Sequence, residues 1–239
     1  MAKIKPKISI VMPTLNEEKL IERALRSIKN QKNAPEYELI IVDGGSSDDT
    51  VKIAKRYTDL IFYEPKRTIA AGRHKGALKA SGEIIINVNA DCYYKEDWLA
   101  NLIKPFENPR VIGTFGKLLP DHGELVDHIF AETFLHPSAH ILSTVNFHFV
   151  STETLAIKKD EFLRIDGFNT NLICGEDTDL IKRIKKYGKV VYVPSAVVYV
   201  SMRRIKKWGR LYYLYFHTTN FVKMHLFNKA HKRYEPIRE

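Results

Sequence analysis

Four polar clusters in this chain of 239 residues have the residue types and positions that chemistry on a nucleotide would need. Three of them follow short β-branched runs: Pro13-Thr14-Leu15-Asn16-Glu17 after residues 8–12, Asp43-Gly44-Gly45 after 38–42, and Asn89-Ala90-Asp91 after 83–88. The fourth, Gly175-Glu176-Asp177-Thr178-Asp179, comes much later. A carboxylate at a strand end, such as Asp43, can accept from the imino or amino hydrogen of a nucleobase; the alternative is a turn Asp before Gly44-Gly45. Asn89 and Asp91 point the same way if extended structure persists, and two such oxygen donors could hold Mg²⁺ or Mn²⁺ against a diphosphate; the alternative is a structural turn. Asn16, Glu17, Glu176, Asp177 and Asp179 are also ordinary helix-starting residues.

These clusters need a scaffold that brings them together. Continuous apolar runs of four to six residues suit strands buried on both faces, and a parallel sheet collects the ends of such strands along one edge. Between the runs, Leu20, Ile21, Ala24, Leu25 and Ile28 repeat at helical spacing from Glu17 to about Asn30. Asp48-Asp49-Thr50 opens a second helix, and Thr68 to Ala80 reads as a third, closed by Ser81-Gly82. This alternation predicts crossover helices on a right-handed parallel sheet. Beyond Asp91 the pattern turns mixed. A helix carrying Trp98, Leu99 and Leu102 leads to a strand from Val111, then to a less regular stretch from Pro120 to His148. Strands follow at Thr154–Ile157 and Lys189–Val193, with a helix between Gly175 and Tyr187. The spacing of His136, His140 and His148 matches no metal-ligand pair, and with Phe134, Phe147 and Phe149 nearby they read as packing or acceptor-pocket residues.

The composition, 44% hydrophobic and 11% aromatic, allows a full core. A net charge of +10, concentrated in the last third, implies attraction to anions. Cys92 and Cys174 make neither a disulfide framework nor a zinc site, so a reducing compartment is expected. The first residues lack the apolar core of a signal peptide, and no run reaches a membrane span. A cytoplasmic protein is therefore expected, with peripheral attachment to the membrane face left open. The loop after the first strand lacks G-x-G-x-x-G, which disfavours a dinucleotide fold.

The series ISIVMPTLNEE, ELIIVDGGSSDDT, AAGRHKGALKASGEIIINVNAD and GEDTDLIKRIKKYGK resembles the family 2 nucleotide-sugar glycosyltransferases over roughly residues 7 to 205. The resemblance implies a GT-A fold: an αβα sandwich with a mostly parallel central sheet and a mixed acceptor-side half. It implies a nucleotide-binding half at 1–118, an acceptor-side half at 119–204 and a C-terminal helical extension at 205–239. By the same resemblance Pro13, Thr14, Asn16 and Glu17 line the nucleoside pocket, Asp43 contacts the base, Arg73 and Lys75 lie near the ribose and diphosphate, and Asn89 and Ala90 belong to the nucleotide site. Asp91 becomes the ligand of Mn²⁺ or Mg²⁺, with Asn89 replacing the more frequent first acid of an Asp-x-Asp triplet. Glu176-Asp177 matches the family's Glu-Asp motif, making Asp177 the general base and Glu176 the residue that orients the acceptor. Arg203 or Arg204, after the last core strand, would close on the diphosphate. The implied activity is inverting transfer of a sugar from a UDP- or GDP-linked donor to a hydroxyl or lipid-linked acceptor.

Residues 205–228 combine Trp208, Leu211, Tyr212, Tyr215, Val222 and Leu226 with flanking lysines and arginines. Such a helix can lie in the headgroup region of an anionic membrane, pack across the catalytic domain, or pair with a second copy in a homodimer. Two rival readings are a sugar-nucleotide nucleotidyltransferase, which usually carries a Gly-rich phosphate loop missing here, and a basic nucleic-acid-binding module. Neither accounts for Asp43, Asp91 and Asp177 together.

Overall fold

The computed structural model describes residues 8–144, 152–235 and 237. An eight-stranded sheet runs in the order β3-β2-β1-β4-β7-β6-β8-β5. The strands are β1 Ile8–Thr14, β2 Tyr37–Asp43, β3 Ile61–Tyr63, β4 Ile84–Asn87, β5 Cys92–Tyr94, β6 Val111–Asp121, β7 Leu155–Lys158 and β8 Lys189–Ser201. The first four pair in parallel, β7 runs antiparallel to both β4 and β6, β6 and β8 are parallel, and β5 is antiparallel to β8. This is the mixed, mostly parallel αβα architecture that the sequence predicts.

Alternation along the strands builds two cores. Ile8, Ile10 and Met12 of β1 face one side, where they meet Ile21, Leu25 and Ile28 of α1 (Ile21–Lys29) and Trp98, Leu99 and Leu102 of α4 (Trp98–Ile103). Val11 faces the other side, together with Ala77 of α3 (Ile69–Lys79) and Leu180, Ile181 and Ile184 of α8 (Glu176–Ile184). The strands therefore bury both faces, which is why their sequences read as unbroken apolar runs. The shorter α2 (Thr50–Ala54) and α7 (Lys159–Arg164) complete the layers.

Two glycines set how closely α3 approaches the sheet. A Cβ on Gly76 would fall 2.3 Å from Val11 Cγ1, and one on Gly72 would fall 2.9 Å from Pro13 Cβ. Spaced by four, they share one helix face and let α3 lie directly against β1. Arg73, adjacent to Gly72, is carried into the protein and is only 2% exposed.

Several elements differ from expectation. Helix α1 begins at Ile21 rather than Glu17, because Asn16 takes a left-handed conformation (φ 53°) and the Glu17 carbonyl accepts from the Leu20 and Ile21 amides in a turn. The segment after Asp91 forms β5 before α4 begins. The stretch after Pro120 is largely helical: α5 (Leu125–Phe130), a π-helical turn at Ala131–Leu135 and α6 (His136–Thr144). There His136 meets the Tyr192 hydroxyl at 3.1 Å and His140 packs edge-on against the Tyr192 ring, so both are packing residues. His148 lies outside the described residues. Residues 203–227 fold as α9 (Arg203–Trp208) and α10 (Arg210–Phe227), so the helical segment begins two residues before the expected 205.

Candidate active site

The carboxyl ends of β1, β2 and β4 open into a cleft of about 530 Å³, closed on the far side by α8, α9 and α10. Pro13, Thr14, Glu17, Arg73, Asn89, Ala90, Asp91, Glu176, Asp177, Arg203 and Arg204 all line it. Residues as far apart as Glu17 and Arg203, 186 positions along the chain, thus share one cleft, as expected where parallel strands end.

The first two loops are tied to each other. The Asn16 amide donates to Ser46 Oγ at 2.9 Å, and Asn16 Oδ1 accepts from the Ser47 amide at 2.8 Å. Asp43 is buried and its carboxylate is engaged by its own loop: the Gly45 and Ser46 amides donate at 2.7 and 2.8 Å, the Ser46 hydroxyl at 2.5 Å and the Thr14 hydroxyl at 3.3 Å. Asp43 therefore occupies the turn position that was its alternative reading, while Thr14 and Gly44 present the loop to the cleft. Lys75 does not itself line the cleft. Its ammonium group donates to the Tyr63 carbonyl and stands 3.7 Å from Glu64, which does.

Two guanidinium groups organise the rest. Arg73 donates to Glu176 Oε1 at 2.6 Å and to Asn89 Oδ1 at 2.7 Å, joining the end of β4 to the first turn of α8. An uncharged acceptor at position 89 suits this arrangement, since Arg73 already has a full carboxylate partner in Glu176. The Asn89 backbone is clipped as well, its amide donating to Tyr94 Oη of β5 at 2.8 Å. Arg203, at the start of α9, donates to both carboxylate oxygens of Glu17 at 2.8 Å and pairs with Asp91 Oδ2 at 2.8 Å. Arg204 has different partners. It donates to the Glu235 carbonyl at 2.8 Å and lies over the rings of Trp208 and Tyr234.

Helix α8 is preceded by Gly175, whose φ of 74° and position against Asn220 leave no room for a side chain. Glu176 and Asp177 then occupy its first turn. Burial and the neighbouring Glu176 charge push the Asp177 carboxyl up to about 7, although the Thr178 amide, donating to it at 2.6 Å, works the other way. Asp179, by contrast, pairs with Arg183 within the helix at 2.7 Å, a structural role.

Among the described residues no group of three or more His, Cys, Asp or Glu side chains stands together to hold a metal ion. The donors that do line the cleft still fit one. Asp91 supplies a hard carboxylate oxygen, and a magnesium-like ion commonly needs only one or two carboxylates when phosphate oxygens and water complete its shell. The charge beside Asp91 belongs to the Arg203 guanidinium.

The family model described as glycosyl transferase family 2 matches residues 9–161, more than half of the chain. The chain belongs to glycosyl transferase family 2. Within it, a Methanococcus voltae protein named dolichyl N-acetyl-alpha-D-glucosaminyl phosphate 3-beta-D-2,3-diacetamido-2,3-dideoxy-beta-D-glucuronosyltransferase is 28% identical over 84% of this chain and 69% of its own length. The O-antigen chain rhamnosyltransferase RfbN of Salmonella typhimurium is 27% identical over 80% of this chain and 65% of its own length. The chain thus spans about two thirds of these curated relatives. Among solved structures, the mannosyltransferase PcManGT from Pyrobaculum calidifontis, in complex with GDP-Man and Mn²⁺, superposes with a TM-score of 0.71 over 96% of this chain and 67% of that one, at 21% identity. Glucosyl-3-phosphoglycerate synthase from Mycobacterium tuberculosis, with Mn²⁺, UDP and glucosyl-3-phosphoglycerate, gives a TM-score of 0.63 at 20% identity, covering 94% of this chain and 80% of that one. These two likenesses establish a shared GT-A fold.

One cleft residue of this family 2 chain escapes sequence reasoning. Glu153 sits in a 3₁₀ turn (Thr152–Thr154) immediately before β7, next to the end of β4. Burial raises its carboxyl pKa, opposed by Arg73 and reinforced by Asp91 and Glu176. A single Glu between two threonines carries no pattern. Only the packing of β7 against β4 brings it to the site.

Proposed function

We propose that this protein is an inverting glycosyltransferase that moves a sugar from a UDP- or GDP-linked donor to a hydroxyl of a lipid-linked acceptor, assisted by Mn²⁺ or Mg²⁺. The observation that carries this reading is the convergence, in one cleft, of the β1 loop, Asp91 and an Asp177 carboxyl whose pKa is raised to about 7. Family membership removes the ground for the nucleotidyltransferase and nucleic-acid readings. The names of the relatives, which include a dolichyl-linked acceptor, support the acceptor class.

In this reading Pro13, Thr14 and Glu17 form the nucleoside wall, and Asp43 and Asn16 hold that wall in shape. Asp43 then acts on base choice through Thr14 and the Gly44–Ser46 turn. When bound, the divalent ion offsets charge developing on the leaving diphosphate, with Asp91 as its protein ligand. Arg203 offers a second positive charge to the same oxygens. Asp177 accepts the proton of the acceptor hydroxyl as its oxygen bonds to the anomeric carbon. The bond to the diphosphate breaks on the opposite face, so the configuration inverts. Glu176, fixed by Arg73, orients the acceptor beside Asp177.

Incubation with UDP- and GDP-sugars, Mn²⁺ and lipid extract, followed by NMR of the new linkage, tests this reading. A β-linked product from an α-linked donor, lost by roughly 10²–10⁴-fold in Asp177→Asn, is the expected result. Retained anomeric configuration, or an Asp177→Asn enzyme at full activity, contradicts it.

A further inference from the structure

Helix α10 is apolar on two opposite faces. One face is used: Phe216, Asn220 and Met224 are buried, and Lys182 of α8 donates to the Met224 carbonyl at 2.6 Å and to Asn228 Oδ1 at 2.7 Å. The opposite face carries Leu211, Tyr215, Val222 and Leu226, at spacings of four, seven and four, which form one stripe along a helix. All four are exposed, Leu211 at 86% and Leu226 at 70%.

A second apolar surface stands beside it. Arg210, at the start of α10, donates to Asp127 at 2.7 Å and pairs with Glu124 at 2.9 Å, fixing the two helix starts side by side. On α5 and the segments after it, Leu125, Ile129, Phe134 and Ile141 are also exposed. Phe130 and Phe134 from this side, with Leu214 and Phe221 from α10, line the mouth of the cleft. Phe130, Phe134 and Leu214 are both exposed and cleft-lining, so the exposed apolar surface runs into the cleft.

Charge points to the occupant. No acidic residue occurs between Arg210 and Phe227, whereas exposed Lys206, Lys223 and Lys229 lie within or next to α10. Lys223 follows Val222 and so projects at the border of the stripe, where a long side chain can reach lipid headgroups while its stem stays on the apolar surface. Among the described residues no helix is long and apolar enough to cross a membrane. An apolar stripe with cationic borders that does not span instead lies in the interface plane.

We propose that the exposed faces of α10 and α5–α6 dock this enzyme on an anionic membrane surface, with the mouth of the cleft turned to the lipid headgroups. The proposal rests on the reading of the cleft as the site of a lipid-linked acceptor. A second copy of the chain is the competing occupant. It is disfavoured because the surface is spread over two helical segments and one border of the stripe carries like charge, which another copy would meet with its own.

Flotation of the full chain with vesicles tests it, using phosphatidylcholine alone and phosphatidylcholine with a third phosphatidylglycerol. The expected result is flotation with the anionic vesicles, weakened by salt and reduced roughly tenfold or more in Leu211→Glu/Val222→Glu, since each side chain loses its apolar burial. A second variant, Lys206→Glu/Lys223→Glu, should lower binding to anionic vesicles only. Thermal stabilisation by UDP or GDP with Mn²⁺, measured on each variant, reports folding and an intact cleft. No flotation of the wild type, or flotation unchanged by Leu211→Glu/Val222→Glu, overturns the proposal. So does a wild-type dimer, seen by light scattering, that these substitutions make monomeric. Vesicle binding without any nucleotide binding would instead overturn the glycosyltransferase reading of the cleft and leave the docking surface standing.

Discussion

Arg203 pairs with Asp91 at 2.8 Å while donating to both oxygens of Glu17, so one guanidinium bridges the ends of β1 and β4 from the start of α9. All three side chains are largely shielded from solvent, Arg203 and Glu17 at about a tenth exposed. The same carboxylate that would hold a divalent ion is the partner of a cation supplied by the protein. On the proposed role of Asp91, Arg203 and the ion would compete for this carboxylate, and a bound diphosphate would resolve the competition by giving Arg203 a second anion.

Replacing Arg203 separates these effects. Arg203→Ala should bind Mn²⁺ more tightly than wild type when no nucleotide is present, by roughly tenfold, the worth of one charge-assisted hydrogen bond. The same variant should bind UDP or GDP more weakly in the presence of Mn²⁺. Electron paramagnetic resonance of free Mn²⁺ and calorimetry of the nucleotide measure the two effects. Equal Mn²⁺ affinity in both proteins contradicts the competition.

Arg73 should be the costliest of the cleft residues to remove. Its truncation leaves Glu176 buried beside Glu153 and Asp177 without its cation, a loss of about 3–5 kcal/mol by comparison with other broken buried pairs. Arg73→Lys keeps the charge but lacks the fork that reaches Glu176 and Asn89 at once, so its loss should be intermediate. Urea denaturation monitored by circular dichroism checks the order.

The close approach of α3 makes a separate prediction. Gly76→Ala puts a methyl 2.3 Å from Val11 Cγ1, so the helix must shift and take Arg73 with it. The expected cost is about 1–3 kcal/mol of stability together with weaker nucleotide binding. Thermal melts with and without nucleotide measure both. An unchanged melting temperature contradicts the packing described for α3.

As the proposed general base, Asp177 should set the pH response. A general base works deprotonated, so kcat/KM should rise with pH through about 7 and level off above it, and Asp177→Asn should lose that limb. Stability moves the other way. The folded chain holds this proton more tightly than the unfolded chain, so the contribution is fully present below pH 3.8 and is lost as pH rises through about 7. Asp177→Asn should therefore be more stable than wild type at pH 8, by no more than about 4 kcal/mol, with the difference vanishing below pH 4. Melting temperatures of both proteins across this range give the sign.

The residues that were legible in the sequence are those whose neighbours carry a period. The runs before Asp43 and Asn89 announce strands because both faces are buried, and Glu176 and Asp177 are recognisable at the head of an amphipathic helix. What escaped depends on distance along the chain or on a single side chain. Nothing near Glu17 indicates a partner 186 residues away, and three residues of β5 pair with β8 without any alternation long enough to read. A position at a strand end does not show that the Asp43 carboxylate accepts from the amides of Gly45 and Ser46 in its own loop. Lys75 follows Arg73 by two positions on a helix, which sends it not to Glu176 and Asn89 but to Tyr63 and Glu64 at the rim of the site.

Isothermal titration of the wild-type protein with UDP and GDP, each with Mn²⁺, with Mg²⁺ or with chelator, tests the central claim most directly when repeated on Asp91→Ala and Asp177→Asn. The account predicts that at least one nucleotide binds with a divalent ion and much more weakly with chelator, that Asp91→Ala abolishes this dependence, and that Asp177→Asn keeps it. Absence of binding by either nucleotide under every metal condition, or metal-dependent binding that survives Asp91→Ala, would contradict it.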